Sequence, residues 1–96
     1  MSLNSAHNTA MSSLPYDHVI FTDLDGVESV LVDLNAKQYY RLNETASLIW
    51  KGLAKGVPVA DIVSEITELY DVTIERARSS IETAVATFRA NHLVRQ

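Results

Sequence analysis

Hydrophobic and polar positions alternate with period two up to residue 42 and with a helical period after it. Val30, Val32 and Leu34 alternate with Leu31 and Asp33, and Gln38, Tyr40 and Leu42 alternate with Tyr39 and Arg41. Such alternation, rich in β-branched and aromatic residues, predicts strands over residues 28–34 and 38–42. Asn35-Ala36-Lys37 is the turn between them. Val19-Ile20-Phe21-Thr22 predicts an earlier strand, closed by Asp23-Leu24-Asp25-Gly26, where glycine supplies the positive φ of a tight turn. Short connections favour an antiparallel meander, which leaves the third strand at an edge. In that strand Tyr40 is expected to face the core and Tyr39 the outside.

Helical spacing follows. Asn43 is a good N-cap for a helix starting at Glu44, in which Ala46, Ile49, Trp50 and Leu53 share a face. Gly52 and Gly56 punctuate its end, and Pro58 marks the next start. From Val59 to Tyr70, the residues Val59, Ile62, Val63, Ile66, Leu69 and Tyr70 form one broad apolar stripe. Thr73 caps a last long helix with Ile74, Ala77, Ile81, Ala84, Val85 and Phe88 on one face. Arg78, Glu82 and Arg89 lie along one flank of that face. The expected fold is therefore α+β: a three-stranded antiparallel sheet followed by a three-helix bundle, winged-helix-like in its order of parts. Residues 1–14, rich in Ser, Asn, Ala and Thr, are expected to be a disordered tail ahead of a domain over residues 15–96.

Composition narrows the chemistry. A chain of 96 residues, 47% hydrophobic, makes one domain with one modest core. It has no cysteine, which removes disulfides, thiolate metal sites and thiol nucleophiles. No apolar run has the length of a membrane span, and no secretory signal precedes the domain, so a cytoplasmic protein with no membrane partner is expected. The net charge of −4 is unevenly spread. Asp17, Asp23, Asp25, Glu28 and Asp33 form an acidic block without a base, as do Asp61, Glu65, Glu68, Asp71 and Glu75. Lys37, Arg41, Lys51 and Lys55 are offset only by Glu44, and Arg76, Arg78, Arg89 and Arg95 only by Glu82.

No catalytic set emerges. His7, His18 and His92 lack metal-ligand spacing, so no metal is expected. Asp23 and Asp25 do not continue into a calcium-loop ligand series. Gly26, Gly52 and Gly56 are not spaced as a phosphate loop, and no cofactor is implied. Thr22, Ser29 and Ser47 have no histidine near them in sequence to activate a hydroxyl. The chain reads as a binding module rather than an enzyme.

Val30-Leu31-Val32-Asp33-Leu34, then Tyr39-Tyr40-Arg41-Leu42-Asn43-Glu44-Thr45-Ala46 and Ile49-Trp50, resemble the coenzyme PQQ synthesis protein D (PqqD) family. Val59-Ala60-Asp61-Ile62-Val63, Tyr70-Asp71-Val72 and the long last helix ending near Leu93-Val94 extend the resemblance over residues 17–95. Two departures stand out. Asn91-His92-Leu93 has no glycine where many members carry one, and Pro58-Val59 replaces a more usual polar cap. The resemblance implies a non-catalytic domain that captures the leader of a ribosomally made precursor peptide and presents it to a modifying enzyme, such as a radical SAM protein in PQQ biosynthesis, or a cyclase. It implies that the peptide adds as a strand along Lys37, Gln38, Tyr39, Tyr40 and Arg41, against a wall of Arg78, Glu82, Val85 and Arg89. Edge-strand addition agrees with the reading from the residues, because an edge offers unpaired N–H and C=O groups. The two positive blocks then suggest a basic groove for an acidic leader. The same edge is open to a second copy, giving a homodimer. The alternative from another class is a winged-helix DNA-binding regulator, which the acidic second helix disfavours, so no nucleic-acid partner is expected.

Overall fold

The computed structural model describes residues 14–95. Three strands, β1 (Val19–Asp23), β2 (Ser29–Asp33) and β3 (Gln38–Leu42), precede three helices, α1 (Glu44–Ala54), α2 (Val59–Tyr70) and α3 (Ile74–Ala90). The sheet is antiparallel in the order β1-β2-β3, so β3 is an edge, as the meander required. Registers such as Ile20↔Val32 and Val32↔Tyr39 fix which residues share a face. Of the tail expected over residues 1–14, residues 1–13 lie outside the described residues and Leu14 lies within them. Leu14 accepts a hydrogen bond from the Arg95 amide, and Pro15 bridges Val94, which ties the start of the domain to its end.

Local chemistry explains the turns. In the first, Gly26 has φ +86°, and the Asp23 and Asp25 carboxylates accept from the amides of Gly26, Val27 and Glu28. The amides of Glu28 and Val27 favour the ionised form and hold the Asp25 carboxyl below its ordinary pKa. The second strand is shorter than expected because Asp33 turns the chain: its Oδ1 accepts from the amides of Asn35 and Ala36. The helices are capped as their sequences direct. Asn43 Oδ1 accepts from the Ala46 amide at 2.9 Å, and Thr73 Oγ1 from the Arg76 amide at 3.1 Å.

The core lies between one sheet face and the helices. Leu31, Leu42, Ile49, Trp50, Ile62, Ile66, Ala77, Ile81, Phe88 and Leu93 are buried in it. Trp50 meets Phe88 edge-on, with ring centroids 5.1 Å apart. At Gly52 an added Cβ would stand 2.8 Å from Ile62 Cδ1, so the missing side chain is what lets α1 approach α2. The apolar stripe of α2 is narrower than its sequence suggests. Ile62, Val63 and Ile66 are buried, whereas Val59 and Leu69 are exposed, as is Ile74 of α3. Val59 and Ile74 are the first residues of their helices and Leu69 sits in a last turn, so all three lie at helix ends.

The chain end shows what the absent glycine means. The Leu93 amide donates to the Phe88 carbonyl and the His92 amide to the Arg89 carbonyl, the paired bonds of a left-handed helix stop. His92 occupies the left-handed position, with φ +58°. Its side chain is exposed, so little packing is lost by removing it. His92→Gly is expected to stabilise the domain by roughly 0.5–1 kcal/mol, the relief of left-handed strain less the entropy glycine adds to the unfolded chain. Thermal unfolding should rise by a few degrees; a midpoint that falls would show that the imidazole makes a contact worth more than the strain.

Candidate functional site

The outer edge of β3 borders a cleft. The cleft is lined by Arg41, Leu42 and Asn43 at the end of β3, by Thr45, Ala46 and Ile49 of α1, and by α3 from Ser79 to Phe88. Its volume is about 560 Å³. Leu42, Ala46, Ile49, Ala84 and Phe88 give it apolar lining, while Thr45, Ser79, Ser80, Thr83 and Thr87 give it hydroxyls. Arg41 is the single charged residue among these lining residues.

The strand residues fall as expected. Tyr39 projects from the outer sheet face and is 77% exposed, while Tyr40 is half-buried against the core. Lys37 ends the turn in a left-handed conformation, with φ +57°, and leads into Gln38, which is exposed. Arg41 is exposed and donates from Nη2 to Glu28 Oε1 at 2.9 Å. That pair spans the β2–β3 side of the sheet, so the cation at the cleft mouth already has a carboxylate.

The helix residues fall elsewhere. At 100° per residue, Arg78, Glu82, Val85 and Arg89 lie on one side of the buried Ala77–Ile81–Phe88 line, and Ser79, Ser80, Thr83 and Thr87 on the other. The strand-side cleft takes the second group. Glu82, Val85 and the half-buried Arg89 line a separate hollow of about 280 Å³ with Val59, Ile81 and Ala86, on the α2 side. Arg78 is exposed and lines neither hollow. The structure thus brings Arg41 to the cleft without Arg78 or Arg89, and the cleft is not a basic groove. The hydroxyl-bearing flank carried no signal in the sequence, because small polar residues on a helix read as ordinary solvent-facing positions.

Other polar groups are structural. Ser29 and Ser47, far apart in sequence, are both buried and their hydroxyls lie 2.7 Å apart, which joins β2 to α1. His18 Nε2 stands 3.7 Å from the buried Asp33 carboxylate and its ring stacks on Tyr16. The Tyr70 hydroxyl is pushed above its ordinary pKa by burial, and the Glu44 carboxylate beside it adds to the rise. Among the described residues no group of three His, Asp or Glu side chains could hold a metal ion, and no helix is long and apolar enough to cross a membrane.

Comparisons with known proteins bear on the family and the fold. The family model for coenzyme PQQ synthesis protein D (PqqD) matches residues 28–94. The solved structure of TbiB1 in complex with the TbiA(beta) leader peptide is 25% identical, with a TM-score of 0.78 over 84% of this chain and 93% of that one. Lasso peptide synthetase B1 complexed with the leader peptide is 26% identical, with a TM-score of 0.80 over 88% of this chain and 99% of that one. No curated protein matches the sequence significantly.

Proposed function

The chain belongs to the PqqD family, and from that membership we propose that it captures the leader of a ribosomally made precursor peptide and presents it to a modifying enzyme. It acts as a recognition domain and not as an enzyme. One observation carries the reading. Two solved relatives of the same fold, each matched over more than four-fifths of this chain, are complexes with leader peptides, and here the same fold keeps a free strand edge beside an apolar-lined cleft.

The mechanism follows from the geometry. The leader adds as a fourth strand along Lys37, Gln38, Tyr39, Tyr40 and Arg41, and its main chain completes the open edge. Every second side chain turns toward Leu42, Ala46, Ile49, Ala84 and Phe88, and burial there gives the anchoring free energy. The wall is the Ser79–Thr87 flank of α3; Arg78, Glu82, Val85 and Arg89 lie off the peptide's path. Arg41, held by Glu28, orders the mouth of the cleft. The family name points to PQQ synthesis and a radical SAM enzyme, whereas one solved relative is a lasso peptide synthetase B1. We favour the lasso setting, since that likeness extends over nearly the whole fold. A second copy of the chain competes for the same edge at high concentration.

An amide NMR titration tests the reading. The chain is titrated with the leader half of a candidate precursor peptide and, separately, with duplex DNA. Peptide-induced shifts are expected on residues 37–42, on Ala46 and Ile49, and along residues 79–88. Shifts with DNA and none with peptide would replace the proposal with a DNA-binding role.

A further inference from the structure

The outer face of the sheet is built in rows, because residues opposite one another on neighbouring strands point the same way. Leu31 is fully buried in the core, so Val30 and Val32 on either side of it point outward. The register then sets Ile20, Val32 and Tyr39 side by side across β1, β2 and β3, and next to them Thr22, Val30 and Arg41. The first row is apolar from strand to strand. It ends at Tyr39, which is 77% exposed against 45% for Ile20 at the far end. The second row ends at Arg41, whose charge is already met by Glu28.

The edge where both rows stop is regular at its centre. β3 pairs with β2 without a bulge from Gln38 to Leu42, contains no proline, and carries no charge over Gln38, Tyr39 and Tyr40. Bulges, prolines and charges are the devices that ordinarily stop another chain from pairing with an edge. A strand added here turns half of its side chains into the cleft and the other half to the outer face. One outward side chain stands about 5 Å from Tyr39 and becomes the fourth member of the apolar row. The next outward side chain, two residues along, falls beside Arg41.

We propose that Tyr39 is a specificity-determining residue, which selects a peptide carrying a β-branched or aromatic side chain at the outward position beside it. The peptide is then read on the outer sheet face as well as in the cleft. Side chains of these kinds fit a pleated surface and pair well with an aromatic ring across strands. The position beside Arg41 is undemanding, since an acid there competes with Glu28 for one guanidinium. This rests on the reading of β3 as the peptide edge.

The test selects peptides from a phage-displayed random library and keeps those that shift the amides of residues 38–42. Each position of a retained peptide is replaced by serine, and affinity is measured on the unmodified chain, on Tyr39→Phe and on Tyr39→Thr. Threonine keeps the strand propensity at an exposed site, and an unchanged melting temperature shows that the variant stays folded. Serine at one outward position is expected to weaken binding about 1.5- to 5-fold on the unmodified chain and on Tyr39→Phe. The same replacement should have no effect on Tyr39→Thr, the signature of a direct pair. Edge-bound peptides with no position coupled to Tyr39 would overturn the row and leave the proposed function standing. A library that yields no peptide shifting residues 38–42 would overturn strand addition itself, and the row with it.

Discussion

Trp50→Ala is expected to bring the domain to the verge of unfolding. The indole is 2% exposed and meets Phe88 edge-on at the centre of the helical layer. Truncating a buried tryptophan or phenylalanine to alanine costs about 3–5 kcal/mol, as lost transfer free energy plus an unfilled cavity. A domain of this size has roughly 4–12 kcal/mol in total. The variant should lose most of its cooperative unfolding transition in urea, and near-ultraviolet circular dichroism should lose its fixed tertiary signal. Trp50→Phe keeps the ring contact and should retain a clear transition at lower denaturant. The consequence reaches the cleft, because Phe88 lines it and stands on Trp50. An alanine variant with a near-native midpoint would show that the helices repack around the gap.

Thr83→Trp is expected to abolish peptide capture without unfolding the protein. Thr83 is exposed on α3 in the middle of the cleft wall, so an indole there projects into the space and not into the core. Losing one central contact in a small interface costs about 2–4 kcal/mol, which is roughly 30- to 1000-fold in affinity. Isothermal titration with a peptide that binds the unmodified chain measures it, alongside the melting temperature. Glu82→Trp is the matched control, since that residue lines the hollow on the α2 side. If the Glu82 variant lost binding and the Thr83 variant kept it, the peptide path would lie on the α2 side of α3.

Much of the fold is legible in the chain because its causes are local. Alternation places Tyr39 outside and Tyr40 inward, and Gly26, Asn43 and Thr73 do at their own positions what their side chains permit. Even the departure at His92 is readable, since a left-handed stop is required there whatever residue fills it. The stripe of α2 is legible in phase but not in width: spacing identifies Ile62 and Ile66 as inward, while Val59 and Leu69, at the two ends of the helix, are left uncovered by the neighbouring helices.

The cleft depends on causes that are not local. Periodicity shows that Arg78, Glu82, Val85 and Arg89 share one flank of α3 and Ser79, Thr83 and Thr87 the other. It holds nothing about which flank meets β3, because that follows from how α2 packs against the helix. Arg41, in a positive block of the sequence, meets Glu28 only on folding, and Ser29 and Ser47, 18 residues apart, meet only in the core. The sequence by itself determined the elements, their caps and the open edge of the third strand, since neighbours along the chain settle these. Only the tertiary structure decided the wall, polarity and charge of the cleft, because these arise where segments distant in the chain converge.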